Sequence, residues 1–177
     1  MYYIGIDIGS TAAKTAVFYN GEFIHFFSQP TGWGGLETAE SILEKLGEKG
    51  ISRENSFFTA TGYGRVSVPY ADKTVTEISC HGKGADYLLK KDCTVIDIGG
   101  QDTKAVKIRN GILENFSMND KCSAGTGKFL EIMSNAMGIS LNELTDLAVN
   151  GSGIKISSMC TVFAESEIIS LIGKGTK

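Results

Sequence analysis

Tyr3-Ile4-Gly5-Ile6-Asp7-Ile8-Gly9-Ser10-Thr11 is a short apolar run that stops at a glycine turn, and Thr94-Val95-Ile96-Asp97-Ile98-Gly99-Gly100-Gln101 does the same ninety residues later. Set against itself at that offset, without a gap, the chain repeats Ile6-Asp7-Ile8-Gly9 as Ile96-Asp97-Ile98-Gly99. It also repeats Lys14 as Lys104, Asn20-Gly21 as Asn110-Gly111, and Phe26 as Phe116. Those eight identities fall within the 21 positions from Ile6 to Phe26, where unrelated segments would share about one at ordinary residue frequencies. The matches include both the Asp-x-Gly turn and a hairpin turn, so an internal duplication organises the chain.

Outward from the two turns, each copy reads as an extended meander. Strands are predicted over 3–8, 13–19 and 22–28, with Asn20-Gly21 as the hairpin turn between the last two. The second copy predicts strands over 94–98, 103–109 and 112–118 around Asn110-Gly111. A helix follows each meander. Leu36, Ala39, Ile42, Leu43 and Leu46 share one face before Gly47 and Gly50, and Phe129, Leu130, Met133 and Met137 share one before Gly138. Further on, the pattern predicts a strand over 56–60, the loop Thr61-Gly62-Tyr63-Gly64-Arg65, and a helix over 77–90. Ser140 with Glu143 forms a capping box for a helix to about Val149. A short strand is predicted over 154–157. An amphipathic helix is predicted over 161–172, carrying Val162, Phe163, Ile168, Ile169 and Ile172. Alternating strands and helices imply an α/β class with mixed sheets. Duplication implies two similar lobes facing each other, 1–92 and 93–177.

Bulk properties exclude several function classes. With 177 residues the chain is long enough to bury most of its apolar surface. A net charge of −3 gives no electrostatic reason to expect nucleic acid or an anionic membrane. No apolar run approaches the ~18 residues of a membrane helix. The N-terminus lacks the basic region of a signal peptide, and Asp7 interrupts its apolar stretch, so a cytoplasmic location is expected. Four cysteines in that setting read as thiols or metal ligands rather than disulfides. Glycine is the informative excess, 22 residues, and many sit in tight clusters where backbone must approach something closely.

The two Asp-x-Gly turns point to phosphate. Glycines after a strand let backbone N–H groups face an anion with no side chain in the way. Gly9-Ser10-Thr11 and Gly99-Gly100-Gln101 are positioned to cradle phosphates from opposite sides. Asp7 and Asp97, each at a strand end, are candidates to hold Mg²⁺ through water, because two carboxylates meeting at one point repel unless a cation sits between them. Lys14 would neutralise phosphate charge as a point cation. The plain alternative makes each aspartate a turn former and each glycine a turn residue.

Gly5-Ile6-Asp7-Ile8-Gly9-Ser10-Thr11 resembles the first phosphate motif of the superfamily that holds actin, sugar kinases, acetate kinase and heat-shock chaperone ATPases. Asp97-Ile98-Gly99-Gly100-Gln101-Asp102 resembles its second. Three further segments are similar to one branch: Glu77-Ile78-Ser79-Cys80-His81, the stretch from Asn119 to Phe129 around Cys122 and Gly125-Thr126-Gly127-Lys128, and the stretch from Ser158 to Glu167 around Cys160. That branch is the activators of 2-hydroxyglutaryl-CoA and 2-hydroxyisocaproyl-CoA dehydratases and the ATPase subunits of benzoyl-CoA reductases. The resemblance runs over the whole chain. It implies duplicated ribonuclease H-like lobes with mixed sheets flanked by helices. It implies ATP and ADP as ligands, with Asp7, Asp97 and Gln101 as catalytic residues and water as the nucleophile. Nucleotide binding is implied for Gly9, Ser10, Thr11, Lys14, Gly99, Gly100 and Gln101, joined by Gly125, Thr126 and Gly127. It further implies a homodimer with one [4Fe-4S] cluster held by Cys122 and Cys160 of each subunit. The implied role is passing one electron, received from ferredoxin or flavodoxin, to a 2-hydroxyacyl-CoA dehydratase or a benzoyl-CoA reductase-like partner.

Taken without the resemblance, the cysteines read differently. They lack C-x-x-C compactness, and a buried structural thiol is the default for each. Cys122 and Cys160 do precede predicted helices, whose N-termini favour a thiolate. Cys80 and Cys93 read as structural, and His81 as a packing or phosphate-side residue. Gly125-Thr126-Gly127-Lys128 lacks full P-loop spacing and reads as a helix entry joining Cys122 to the nucleotide cleft. Family members are longer, so the second lobe is expected to be truncated, leaving an exposed apolar face. Two other functions stay open: a small-molecule kinase of the same superfamily using Asp97 or Asp102 as base, and an ATP-gated regulatory module that transfers no electrons.

Overall fold

The computed structural model describes residues 1–119, 122, 125–157 and 160–176. Asp120, Lys121, Ser123, Ala124, Ser158 and Met159, all within the two cysteine segments, lie outside the described residues, as does Lys177. Two compact units emerge. The first holds Met1–Cys93 with Lys107–Glu114, and the second holds Thr94–Val106 with Asn115–Lys177.

In the first unit, β1 (Tyr2–Ile8), β2 (Ala12–Tyr19) and β3 (Glu22–Pro30) form the expected meander. α1 (Gly35–Gly47) then carries the chain to β4 (Ser56–Thr61), and β5 (Lys73–Thr74) closes a five-stranded sheet of order β3-β2-β1-β4-β5. β1 runs antiparallel to β2 and parallel to β4, so the sheet is mixed. Its register explains the core. Ile4 sits between Val17 and Phe58, Ile6 between Thr15 and Ala60, and Ile8 beside Ala13. All point to one face, where Ala39, Ile42 and Leu46 of α1 cover them and every one is buried. Each such aliphatic side chain contributes about 1.5–3 kcal/mol by leaving water. Tyr70 is buried on the same side and donates its hydroxyl to the Ala39 carbonyl at 2.6 Å. α2 (Glu77–Leu89) ends at Lys90, whose φ of 49° stops it in a left-handed cap. Asn20 (φ 50°) and Gly21 (φ 89°) make the positive-φ turn that the Asn-Gly pair encodes.

The repeat is visible in the backbone of the second copy. β6 (Cys93–Ile98), β7 (Thr103–Arg109) and β8 (Ile112–Asn119) form a three-stranded sheet in that order, with Asn110 at φ 51° and Gly111 at φ 70°. The tip of this hairpin groups with the first unit, where the Asn110 N–H reaches the Asp92 carboxylate at 2.8 Å. α3 (Gly127–Met137) stops at Gly138, left-handed at φ 69°, and α4 (Leu141–Val149) starts in the capping box of Ser140 and Glu143. α3 packs against both α4 and α5 (Thr161–Gly173).

Two expectations fail here. No strand forms over 154–157. The segment follows Gly151 and Gly153, and the Ser157 N–H is taken by the Glu167 carboxylate of α5 at 2.7 Å rather than by a neighbouring strand. α5 is helical as expected, but its inward stripe runs through Ala164, Ile168 and Leu171. Val162, Phe163, Ile169 and Ile172 are exposed. The packed residues recur at the helical spacing of four and three, which leaves the other apolar positions on the open side. The short β5 and a 3₁₀ turn at Arg65–Ser67 were not anticipated. Exposed apolar surface was expected in the second copy, and Ile96 and Ile98 are 70% and 55% exposed, whereas their counterparts Ile6 and Ile8 are buried.

Candidate functional site

The first Asp-x-Gly turn is built from the ends of β1 and β2. The Gly9 N–H donates to the Ala12 carbonyl at 3.1 Å, closing the turn. Asp7 and Lys14 are direct cross-strand partners on the face away from the core, and Lys14 Nζ lies 3.1 Å from Asp7 Oδ2. Both side chains reach solvent, at 26% and 45% exposure. Ser10 and Thr11 are exposed at the crest. Thr31 holds the turn from behind: its hydroxyl donates to the Gly9 carbonyl at 2.7 Å and its N–H to the Thr11 carbonyl at 3.0 Å. Thr38, in the first turn of α1, donates in turn to the Thr31 carbonyl. Any side chain at position 9 would meet the Ala12 carbonyl oxygen at 2.8 Å, so glycine is required there.

The second turn repeats the hydrogen bond at the offset of ninety. The Gly99 N–H donates to the Asp102 carbonyl at 2.8 Å. Its lysine behaves differently. Lys104 lies in line with Val106 and Ile108 on the buried face of β7, its side chain only 3% exposed. Its ammonium sits 2.5 Å from Asp102 Oδ1 and 3.7 Å from Asp97 Oδ2. Two carboxylates thus share one buried cation, an arrangement that holds the turn rather than offering a charge to a ligand. Gly100 is half-buried and Gln101 exposed beside it.

The Gly125-Thr126-Gly127 segment joins this turn. The Gly127 N–H donates to the Gly99 carbonyl at 2.7 Å, and the Thr103 hydroxyl donates to the Gly125 carbonyl at 2.5 Å. Thr126 is the N-cap of α3, as the helix-entry reading expects. An apolar cleft of about 450 Å³ opens beside it, lined by Ile98, Gly125, Thr126, Phe129, Leu130, Ile156 and Ser157. Cys122 is exposed, and its carbonyl accepts from Asn119 Nδ2 at 3.3 Å. Cys160 is the N-cap of α5, extended at φ −144° and ψ 132°, and its side chain makes no capping hydrogen bond. Cys80 lies within α2 and Cys93 opens β6, both half-buried. Among the described residues no group of three or more His, Cys, Asp and Glu side chains is arranged to hold a metal ion. The expected sets, two cysteines or two aspartates per chain, are smaller than that.

Sequence reading missed the supports. Thr31 and Thr38 drew no reading, and Gly62 and Gly64 read as plain loop. Gly64 donates its N–H to the Ile8 carbonyl at 2.8 Å, so the loop after β4 packs under the loop after β1. The available signal was topological. A strand–helix–strand crossover sets β4 parallel beside β1, and the loops at the carboxyl ends of such neighbours meet.

Comparison with known proteins bears on the family and the fold. Residues 4–177 match the family model described as the BadF/BadG/BcrA/BcrD ATPase family. The (R)-2-hydroxyglutaryl-CoA dehydratase activating ATPase of Acidaminococcus fermentans is 46% identical over 180 residues, covering 99% of this chain and 69% of that protein. The crystal structure of A. fermentans (R)-2-hydroxyglutaryl-CoA dehydratase component A superposes with a TM-score of 0.89 at 45% identity, covering 100% of this chain and 70% of that one. The activator of 2-hydroxyisocaproyl-CoA dehydratase from Clostridium difficile, solved with bound ADPNP, gives 0.88 at 43%, covering 100% and 68%. The fold is therefore the actin-like ATPase fold. Among the described residues no helix is long and apolar enough to cross a membrane.

Proposed function

The chain belongs to the BadF/BadG/BcrA/BcrD ATPase family, and from that membership we propose that it is an ATP-dependent electron activator of a 2-hydroxyacyl-CoA dehydratase or a related acyl-CoA reductase. In this reading 1–92 and 93–177 are the two ATPase lobes. Gly9, Ser10 and Thr11 of the first, and Gly99, Gly100 and Gln101 of the second, receive the phosphates. Exposed Lys14 is the cation that offsets phosphate charge. Gln101 orients the attacking water, and no side chain becomes phosphorylated.

The residues fit the groups the family implies. Asp7 and Asp97 are partly exposed carboxylates at strand ends, the donor chemistry Mg²⁺ takes. Cys160 stands at a helix N-terminus with no capping bond from its own side chain, where the positive end of the helix dipole would face a negatively charged cluster. Cys122 is at the surface. Two thiolates per chain would be completed to four by a second copy about a twofold axis. A [4Fe-4S] cluster bound there would supply one-electron chemistry to the dehydratase, with ferredoxin or flavodoxin as donor.

The observation that carries the coupling is the Gly127–Gly99 hydrogen bond. It fastens the start of α3 to the phosphate turn, and the Thr103–Gly125 bond repeats the link two residues earlier. A nucleotide that moves the Gly99 turn would therefore move the start of α3 and Gly125, three residues after Cys122 in the chain. A kinase reading is weaker, because both candidate bases, Asp97 and Asp102, face the Lys104 ammonium and a kinase has no role for Cys122 and Cys160.

Anaerobic reconstitution with iron and sulfide tests the proposal. About two irons per chain, a reduced-state EPR signal and a dimer in solution are expected. Cys122→Ala and Cys160→Ala should each lose the iron, while Cys80→Ala and Cys93→Ala keep it. The opposite pattern would refute the ligand assignment.

A further inference from the structure

Gly62 lies against the Asp7 carboxylate and has no part in the reading above. Resting on that reading of Asp7 as a Mg²⁺-holding residue, we infer that Gly62 is a positioning residue for the carboxylate: its bare Cα seats Oδ1 while Lys14 holds Oδ2.

The register brings the two together. Asp7 is the parallel partner of Thr61, so Gly62 is the first residue past the strand end beside it. Gly62 adopts φ +86°. A Cβ there would meet Asp7 Oδ1 first, and then the Ile8 carbonyl oxygen at 2.6 Å and its carbon at 2.8 Å. Gly62 is held inside its loop. Its carbonyl accepts the Arg65 guanidinium at 3.0 Å and the Arg65 N–H at 3.3 Å. Gly64 ties the same loop to Ile8 at 2.8 Å. Asp7 is the softer partner, a short side chain with Lys14 at 3.1 Å on its other oxygen. A side chain at 62 would therefore turn the carboxylate, and small misplacements of a positioned group are costly.

Gly50 controls for the left-handed φ alone. It has φ +74°, but a Cβ there meets nothing within 4 Å. Both glycines would suffer the left-handed penalty on substitution, and only Gly62 would touch Asp7.

The test uses the 177-residue chain, with MgADP affinity by calorimetry and the Mg²⁺ concentration for half-maximal ATP hydrolysis as readouts. Gly62→Ala should weaken MgADP by about tenfold and raise the Mg²⁺ requirement, while Gly50→Ala lowers the melting temperature and leaves both within about twofold. In an Asp7→Asn background Gly62→Ala should add less than about twofold, since the two act as a unit. Equal losses in both backgrounds would overturn the inference while leaving the Asp7 reading intact. Wild-type MgADP affinity in Asp7→Asn alone would remove the Asp7 reading, and the inference with it. If Gly62→Ala does not fold, Arg65→Gln removes the guanidinium from the Gly62 carbonyl and leaves it only the backbone N–H of residue 65. It should raise the Mg²⁺ requirement in the wild-type background but not with Asp7→Asn, and no change in either background would also overturn the inference.

Discussion

Lys14 and Lys104 occupy the same position of the repeat and do different things. Lys14 projects from the outer face with one carboxylate beside it, and Lys104 is sealed among Asp97, Asp102 and the buried side of β7. Lys14→Ala should therefore weaken nucleotide binding with little change in melting temperature. Lys104→Met should instead lower the melting temperature, because this lysine holds the second turn itself. Removing the cation leaves two carboxylates facing each other, and breaking a buried pair costs roughly 3–5 kcal/mol, here toward the lower end because the aspartates are partly wet. Denaturant titration beside nucleotide titration distinguishes the two, and equal stability losses would contradict the asymmetry. Asp7→Asn is expected to lower Mg²⁺-dependent ATP hydrolysis more than about tenfold, at least ~1.4 kcal/mol of transition-state stabilisation. Steady-state turnover across Mg²⁺ concentrations checks it, and wild-type turnover would contradict the proposed site.

At the scale of elements, α1 braces the first turn. It covers β1 through Ile42 and Leu46, and through Thr38 it holds the loop that supports Gly9. Ile42→Ala should cost about 2–5 kcal/mol, the range for deleting a buried aliphatic side chain. Chemical denaturation monitored by circular dichroism would measure it. Burial pushes the Tyr70 phenol above its ordinary range, and its hydroxyl donates to Ala39 of the same helix. The neutral phenol is the form the fold prefers. Its contribution is fully present below about pH 10, the unfolded value, and is lost as pH rises toward the raised folded value. Melting temperature should fall across that alkaline window in the wild type and fall less in Tyr70→Phe. That variant should cost about 1 kcal/mol at neutral pH for the lost hydrogen bond. Identical alkaline profiles would show that Tyr70 is not the group responsible.

For the whole molecule the question is whether nucleotide and partner communicate. A nucleotide shifts an equilibrium only by its difference in affinity for the two states, and linkage makes the effect reciprocal. The reduced protein should bind its dehydratase with different affinity in the presence of a non-hydrolysable ATP analogue, and the dehydratase should change analogue affinity by the same factor. Equal dehydratase affinity with and without the analogue, with an unchanged EPR signal, would remove the coupling.

Much of this was legible because it is local. The Asn-Gly turns need positive φ at both residues, the strands alternate with period two, and Ser140 with Glu143 writes its own helix start. The duplication, the two Asp-x-Gly turns and an α/β class with mixed sheets followed from those patterns, and the actin-like class from the family resemblance that the two turns carry. Tertiary structure decided the rest, because burial depends on neighbours distant in the chain. It set Lys14 in solvent and Lys104 in the interior, although the repeat makes them equivalent. It gave the Ser157 N–H to Glu167 and so withheld a strand, and it chose Ala164, Ile168 and Leu171 as the packed stripe of α5. It also laid Gly62 under Asp7, through the pairing of β1 with β4 across more than fifty residues of sequence.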